Sequence, residues 1–159
     1  MYANESDDTS FLNVEKIDPV SLEVFHSLFK FIRFHSQLLF KLTSEKGIYP
    51  GQAVCLWFIN QNSGISQRDL AEKMHVAPPT VTHMLQKLEK AGLIIRKDDE
   101  HDQRLSRIYL TDAGIDMLSI LNDILADIIN TSLNNLSCDQ KNNLVSWLNI
   151  ISSNILNKL

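Results

Sequence analysis

The sequence contains little of what marks several common protein classes. It has only two cysteines, five glycines and four prolines in 159 residues. The two cysteines, Cys55 and Cys138, are too few for a disulfide framework, have no metal-type spacing and fit a reducing compartment. The chain also has no glycine-rich phosphate loop, no nucleophile elbow and no paired metal motif. We therefore expect neither an enzyme nor a bound cofactor or metal.

Long apolar runs are also missing. No stretch approaches the roughly 20 apolar residues that a membrane span requires, and the polar, acidic start MYANESDDTS does not resemble a secretory signal. We therefore expect a cytoplasmic protein without a membrane partner. Apolar residues nevertheless make up 44% of the chain, which predicts a packed core rather than disorder in one domain of this length.

Positive charge is scarce overall, since the formal net charge is −4. Between residues 66 and 97, however, six basic residues stand against three acidic ones. Acidic residues collect before and after this segment. Phosphate binding responds to the charge of the footprint rather than to the total, so this mildly basic segment predicts a modest non-specific affinity for DNA.

The apolar spacing predicts a mainly α-helical chain with one small β-ribbon. Residues 1–17 show no sustained period and are predicted to form a flexible arm. Residues 18–159 are predicted to form a single domain. Within it, a DNA-binding lobe over residues 50–110 is flanked by a helical dimerisation region, residues 18–46 and 112–159.

The flanking helices carry more apolar surface than the lobe needs. The first, from Pro19 to about Ser44, has apolar side chains on several faces. The other two begin at the capping residues Thr111 and Ser137 and have apolar stripes at helical spacing. A helix that is apolar on several faces must be buried on several faces. We therefore expect a homodimer built from these helices.

A helix-turn-helix unit is indicated between Ser66 and Ala91. Ser66 caps a short helix, residues 75–77 form a tight turn, and Pro78 opens a second helix with separate apolar and polar faces. Reading helices contact base edges through early residues and phosphates through later ones. The alternative is an ordinary solvated helix face. The residues predicted to contact DNA from this face are Pro79, Thr80, Thr82, His83, Gln86 and, for phosphate, Lys87.

A ribbon follows the second helix directly. Two short apolar segments, Leu93–Arg96 and Ile108–Leu110, enclose a charged loop and predict two paired strands. Arg104 and Arg107 lie near the tip among carboxylates, and Asp102 could hold a neighbouring arginine in a fixed pose. A narrow minor groove attracts such an arginine. Helix and ribbon together predict double-stranded DNA as the partner. The alternative for the ribbon is an ordinary charged hairpin tip.

These residues resemble the multiple-antibiotic-resistance-regulator (MarR) family. Asp102-Gln103-Arg104, the later Leu110-Thr111 and the preceding TVTHMLQKLEKAGLIIRKDDEHDQR are similar to the reading helix and ribbon of that family. The resemblance implies a winged helix-turn-helix homodimer that controls transcription, usually by repression, at pseudo-palindromic operators. It carries Arg104 over as the minor-groove residue and Asp102 as its support. His83 departs from the pattern, because family members often have arginine there.

The resemblance also implies a small-molecule effector between the dimer helices and the DNA-binding lobe. An apolar, phenolic or carboxylic ligand would fit the candidate lining. For its aromatic residues the alternative is ordinary core packing, and for Arg33 it is solvent or an ion pair. A different alternative is a redox- or metal-responsive switch that uses Cys55 or Cys138. The candidate lining residues are Phe25, His26, Phe29, Arg33, Tyr49 and Trp57.

Overall fold

The computed structural model describes residues 17–99 and 105–158. These ranges contain six helices and three short strands, which confirms a mainly helical fold with a small sheet. Within them, no helix combines the length and the apolar character needed to cross a membrane. The helices are α1 Pro19–Ser44, α2 Pro50–Gln61, α3 Gln67–Met74, α4 Pro78–Lys90, α5 Asp112–Ser132 and α6 Cys138–Leu156. The strands are β1 Ile65–Ser66, β2 Ile94–Asp98 and β3 Ser106–Leu110.

Local capping determines where several helices begin. Asp18 Oδ2 accepts a hydrogen bond from the Ser21 backbone N–H at 2.8 Å ahead of α1. The Ser66 hydroxyl accepts from the Asp69 N–H at 3.2 Å at the start of α3. Before α6, Ser137 and Gln140 exchange reciprocal side-chain and backbone bonds of 2.8 and 3.2 Å. These bonds satisfy backbone groups that the first helical turn leaves unpaired.

The ribbon is part of a larger sheet than the sequence predicts. Three antiparallel strands lie in the order β1-β3-β2. The two predicted strands are confirmed as the pair β2 and β3, and β1 is an additional strand. Ile65 and Ser66 of β1 pair with Ile108 and Arg107 of β3. β1 escapes prediction because two residues cannot show an alternating pattern. Its pairing covers one edge of β3 and joins the ribbon to the start of α3.

The chain divides into two compact units, one ending at Gln37 and the other beginning at Leu38. The second unit has a core to which α2, α3, α4, the sheet and α5 all contribute. Burial of large aliphatic side chains is the main stabilising term for such a core. Its fully buried large residues include Leu56, Ile59, Leu70, Leu85, Leu88, Ile108 and Leu121.

Apolar side chains also remain exposed on the long helices. Among its described residues, Cys138–Leu156, α6 has none that is buried. Five large apolar side chains of α6 are more than half exposed: Val145, Trp147, Ile150, Ile155 and Leu156. The first unit shows the same feature along α1, at Val20, Val24, Phe25, Phe29, Phe31, Ile32 and Phe34. Apolar surface of this extent is uncommon on a monomeric protein and typically marks an interface.

Candidate nucleic-acid interface

Helix α4 separates an apolar face from a polar one. Val81, Leu85 and Leu88 are buried in the core of the second unit. The polar face therefore lies on the outer side of the helix, as the spacing predicts. Five of the six predicted contact residues are exposed and Thr82 is partly buried. The five exposed residues are Pro79, Thr80, His83, Gln86 and Lys87.

The turn between α3 and α4 holds the two helices in a fixed relation. His75 ends α3 in the left-handed region, at φ 51° and ψ 42°. The Val76 N–H then donates to the Ala71 carbonyl at 3.1 Å. Pro78 and Pro79 supply the first turn of α4, where a missing N–H costs nothing and the ring already holds φ at a helical value. This confirms the short turn predicted over residues 75–77.

A polar network that the sequence did not reveal connects α3, α4 and β2. The Thr82 hydroxyl donates to the Pro78 carbonyl at 2.9 Å and accepts from Gln67 Nε2 at 2.7 Å. Gln67 Oε1 accepts from Arg96 Nη1 at 3.1 Å, and Arg96 Nε lies 3.2 Å from Glu89 Oε2. A hydroxyl has one hydrogen. Thr82 therefore cannot donate to a base without giving up its bond to Pro78.

Near the tip end of the ribbon an arginine is held by a carboxylate. Arg107 Nε donates to Asp99 Oδ2, and Arg107 Nη1 donates to the Gly64 carbonyl at 3.4 Å. The hydrogen bond and the charge of Asp99 raise the pKa of Arg107. The pairing of a carboxylate with an arginine thus occurs here between Asp99 and Arg107. Asp102 and Arg104, for which the sequence suggested it, lie outside the described residues.

A predicted DNA contact and a predicted effector residue touch each other. Lys87 Nζ of α4 lies 5.6 Å from the centroid of the Tyr49 ring. The Tyr49 ring also lies 5.8 Å from the ring of Phe40, which belongs to α1. A cation over an exposed aromatic ring contributes about 0.5–1 kcal/mol. A change in the position of the Tyr49 ring would therefore alter the surroundings of Lys87 on α4.

The other predicted effector residues have separate surroundings. Trp57 Nε1 donates to Asn122 Oδ1 of α5 at 2.9 Å. In the first unit the Phe25 and Phe29 rings are 6.3 Å apart, the Arg33 guanidinium lies 5.0 Å from the Phe34 ring, and His26 is partly buried. A groove of about 660 Å³ lies beside the turn between α3 and α4. None of the six residues predicted to bind an effector lines it. That groove is lined by Arg68, Ala71, Glu72, His75, Val76 and Pro78.

The two cysteines differ in their accessibility. Cys55 is fully buried, and burial raises the pKa of its thiol to about 12. Cys138 is exposed at the start of α6. Within residues 17–99 and 105–158, no three His, Cys, Asp or Glu side chains are grouped so that they could hold a metal ion. A redox switch at Cys55 is disfavoured because a thiolate is the reactive form; for Cys138 it stays a prediction.

Comparison with known proteins points to one family. The MarR family model matches residues 48–106. The HTH-type transcriptional regulator SarZ of Staphylococcus epidermidis is 31% identical over 111 residues, which cover 69% of this chain and 74% of SarZ. The HTH-type transcriptional repressor MdtR of Bacillus subtilis is 33% identical over 70 residues, 44% of this chain and 45% of MdtR.

Solved structures show the same fold. The crystal structure of the Staphylococcus aureus MepR–DNA complex matches with a TM-score of 0.70 and 27% identity, over 80% of this chain and 96% of MepR. The structure of Staphylococcus aureus MarR in complex with salicylate and kanamycin matches with a TM-score of 0.76 and 22% identity. It covers 88% of this chain and 95% of that protein.

We predict that only one cysteine of the native protein reacts with a chromogenic disulfide reagent near pH 8. With a pKa of about 12, roughly one Cys55 thiol in 10,000 is ionised at that pH, whereas an ordinary thiol is ionised to about a quarter. The Cys138→Ser variant is the control and should react only after denaturant is added. A fast second equivalent in the native protein would contradict the assigned burial of Cys55.

Proposed function

Because this chain belongs to the MarR family of DNA-binding transcriptional regulators, we propose that it represses transcription as a homodimer bound to a pseudo-palindromic operator. It binds DNA as a regulator, and it is not an enzyme. The observation that carries the proposal is the polar face of α4, which is exposed while Val81, Leu85 and Leu88 hold the opposite face in the core. A helix anchored in this way can enter a major groove.

Each DNA-facing residue has a proposed role. Early residues of α4 contact base edges or thymine methyl groups, with Thr82 contributing its methyl group because its hydroxyl hydrogen is already used. Lys87 contacts a phosphate, and Arg104, supported by Asp102, enters the minor groove. Arg107 acts from near the tip end of the ribbon, where Asp99 holds it. The residues proposed to contact bases are Pro79, Thr80, Thr82, His83 and Gln86.

The ribbon and α4 would meet the duplex together. Arg96 of β2 is bonded to Gln67 of α3, and Gln67 is bonded to Thr82 of α4. A chain of hydrogen bonds from ribbon to reading helix restricts their relative motion. One half-site would then receive two fixed contacts, one in each groove.

We predict that base-reading and phosphate-contacting variants fail in different ways. Gln86→Ala should lose about 1–3 kcal/mol of operator binding per subunit and relax the preference at one base pair of each half-site. Lys87→Gln should weaken binding to all duplexes alike and reduce the slope of log affinity against log salt by about 1 per subunit, or about 2 for the dimer. Fluorescence anisotropy with duplexes selected from a random pool by the wild-type protein would measure both.

Two further variants complete this test. Arg104→Ala should weaken binding by a similar amount with the fold intact by circular dichroism. Lys141→Gln, at an exposed position of α6, is the charge-matched control for Lys87→Gln and should change neither the affinity nor the salt slope. If Gln86→Ala and Lys87→Gln both bind as the wild type does, α4 is not the reading helix.

The exposed apolar surfaces of α1, α5 and α6 support the homodimer. Trp147 is 59% exposed and Ile150 is 56% exposed in a single chain, although each could bury most of its side chain against a partner. Burying such side chains contributes about 1.5–3 kcal/mol each. A second copy of the chain, with the same apolar helices, is the partner that a two-fold interface requires.

We predict that Trp147→Glu separates the dimer and leaves the lobe folded. The side chain lies outside the core, so the loss should fall on association, by about 2 kcal/mol or more if Trp147 anchors the interface. Sedimentation velocity at micromolar concentration would measure it. The control is Asn142→Glu, which introduces the same charge about 140° around α6. A folded wild-type monomer at these concentrations would contradict the dimer.

We also propose that a small apolar, phenolic or carboxylic compound releases the DNA. Staphylococcus aureus MarR has been solved with salicylate, a compound of this class. In this chain, the contact of Tyr49 with Lys87 supports the proposal, because a ligand that displaces the ring also removes the platform of a reading-helix lysine. The compound releases the DNA if it binds the DNA-free form of the protein more tightly than the DNA-bound form by a few kcal/mol. Contacts from Phe25, His26, Phe29 and Arg33 stay predictions.

We predict that compounds which release DNA also change the fluorescence of Trp57. The chain has a second tryptophan, so the measurement uses Trp147→Phe, with salicylate as the first compound tested. Tyr49→Leu should require more compound for release, whereas Tyr49→Phe keeps the ring and should respond as the wild type does. Release without any change at Trp57, together with a normal response of Tyr49→Leu, would place the effector elsewhere.

A further inference from the structure

The first turn of α5 is bonded to the segment that leaves α4. The Thr111 N–H donates to the Leu93 carbonyl at 3.1 Å, and the Thr111 hydroxyl donates to the Gly92 carbonyl at 2.6 Å. The same hydroxyl oxygen accepts from the Gly114 N–H at 3.1 Å and so caps α5. Thr111 therefore caps the start of α5 and is also bonded to Gly92 and Leu93, which lie two and three residues beyond the end of α4.

Gly114 allows this close approach. It is buried, and a Cβ atom added to it would lie 2.0 Å from the Leu93 carbonyl oxygen. The obstacle is backbone, which cannot rotate away as a flexible side chain can. Gly92 has φ +71°, a conformation that glycine adopts without strain and that turns the chain from α4 towards this contact. A side chain at position 114 would thus force α5 away from the segment that follows α4.

A second contact ties α5 to the lobe further along the helix. Asn122 accepts the hydrogen bond from Trp57 of α2 at 2.9 Å. Asn122 lies eight residues after Gly114, about 12 Å along the axis. Between the two contacts, Leu118 and Leu121 of α5 are buried in the same core. Two ties with packed side chains between them fix the orientation of α5 on the lobe.

We propose that Thr111 and Gly114 are positioning residues for DNA binding, which lock the end of α4 to the first turn of α5. This rests on the proposed role of α4 as the reading helix. Two reading helices must lie about 34–36 Å apart to enter successive major grooves. Helix α4 has 13 residues, so a tilt of about 10° at the junction moves its far end by about 3.4 Å, the length of one base-pair step.

The junction therefore sets which half-site spacing the protein accepts. The reading residues decide the sequence of each half-site, whereas Thr111 and Gly114 decide the distance between half-sites. A loosened junction would let each α4 adapt to several spacings, at lower affinity for the preferred one. A role in stability alone would change the fraction of folded protein and leave the spacing preference as it is.

The decisive variants separate the tie to Gly92 from the cap of α5. Thr111→Ser keeps both functions of the hydroxyl. Thr111→Asp keeps the cap, since aspartate is a good N-cap residue, but an ionised carboxylate cannot donate to the Gly92 carbonyl. Thr111→Val has the shape of threonine and neither function. Gly114→Ala introduces the collision with Leu93, and Ile59→Val, fully buried in α2, is the control for lowered stability.

The experiment measures binding of each variant to duplexes that differ only in half-site spacing. The probe is a duplex selected from a random pool by the wild-type protein, with the centre shortened or lengthened by one base pair. Thr111→Asp should bind the preferred spacing about tenfold more weakly, the scale of one lost interface contact, and should discriminate less between spacings. Thr111→Val and Gly114→Ala should do the same, and Thr111→Ser and Ile59→Val should keep the wild-type profile.

The outcomes separate this inference from the proposed function. If Thr111→Asp keeps the wild-type spacing profile, Thr111 is only a cap and the inference is wrong, even where Gly114→Ala fails to fold. If Thr111→Asp loses the profile while Gln86→Ala still changes sequence preference, both are supported. If the wild-type protein selects no spaced half-sites, or Gln86→Ala and Lys87→Gln both bind as the wild type does, the proposed function fails and the positioning role fails with it.

Discussion

Burial of one face of α4 is the interaction on which the lobe depends. Val81, Leu85 and Leu88 are each at most 1% exposed, and α4 packs against α2, α3 and β2. Each such side chain contributes about 1.5–3 kcal/mol on burial. The same packing determines which face remains outside, so the stability of the lobe and the presentation of His83 and Gln86 have one cause.

Polar contacts then set the direction in which the ribbon and the helices point. Packing of aliphatic side chains has little directional preference, whereas hydrogen bonds require defined geometry. Arg96 with Gln67 connects the ribbon to α3, and Thr111 connects the end of α4 to α5. The chain as a whole has a net charge of −4. The positions at which its basic side chains are held therefore matter more for DNA binding than the total charge does.

The helices outside the lobe follow a different constraint. Their apolar residues recur at helical spacing, yet α6 buries none of its described residues, Cys138–Leu156, in a single chain. The surplus of Val145, Trp147 and Ile150 is the physical basis for proposing a second subunit. Because the lobe is tied to α5 at Thr111 and again at Asn122, the proposed subunit contact and the DNA contact would share one helix.

The sequence by itself determined the features that depend on near neighbours. Asp18, Ser66 and Ser137 cap their helices through bonds to residues three positions away, and the faces of α4 follow from a period of 3.6 residues. Tertiary structure alone decided the strand β1, the bonding of Gln67 to Thr82 and Arg96, and the pairing of Arg107 with Asp99. It also decided the contact of Gly114 with Leu93. Each of these joins residues 8 to 43 positions apart, and no local pattern records which distant segment the chain brings alongside.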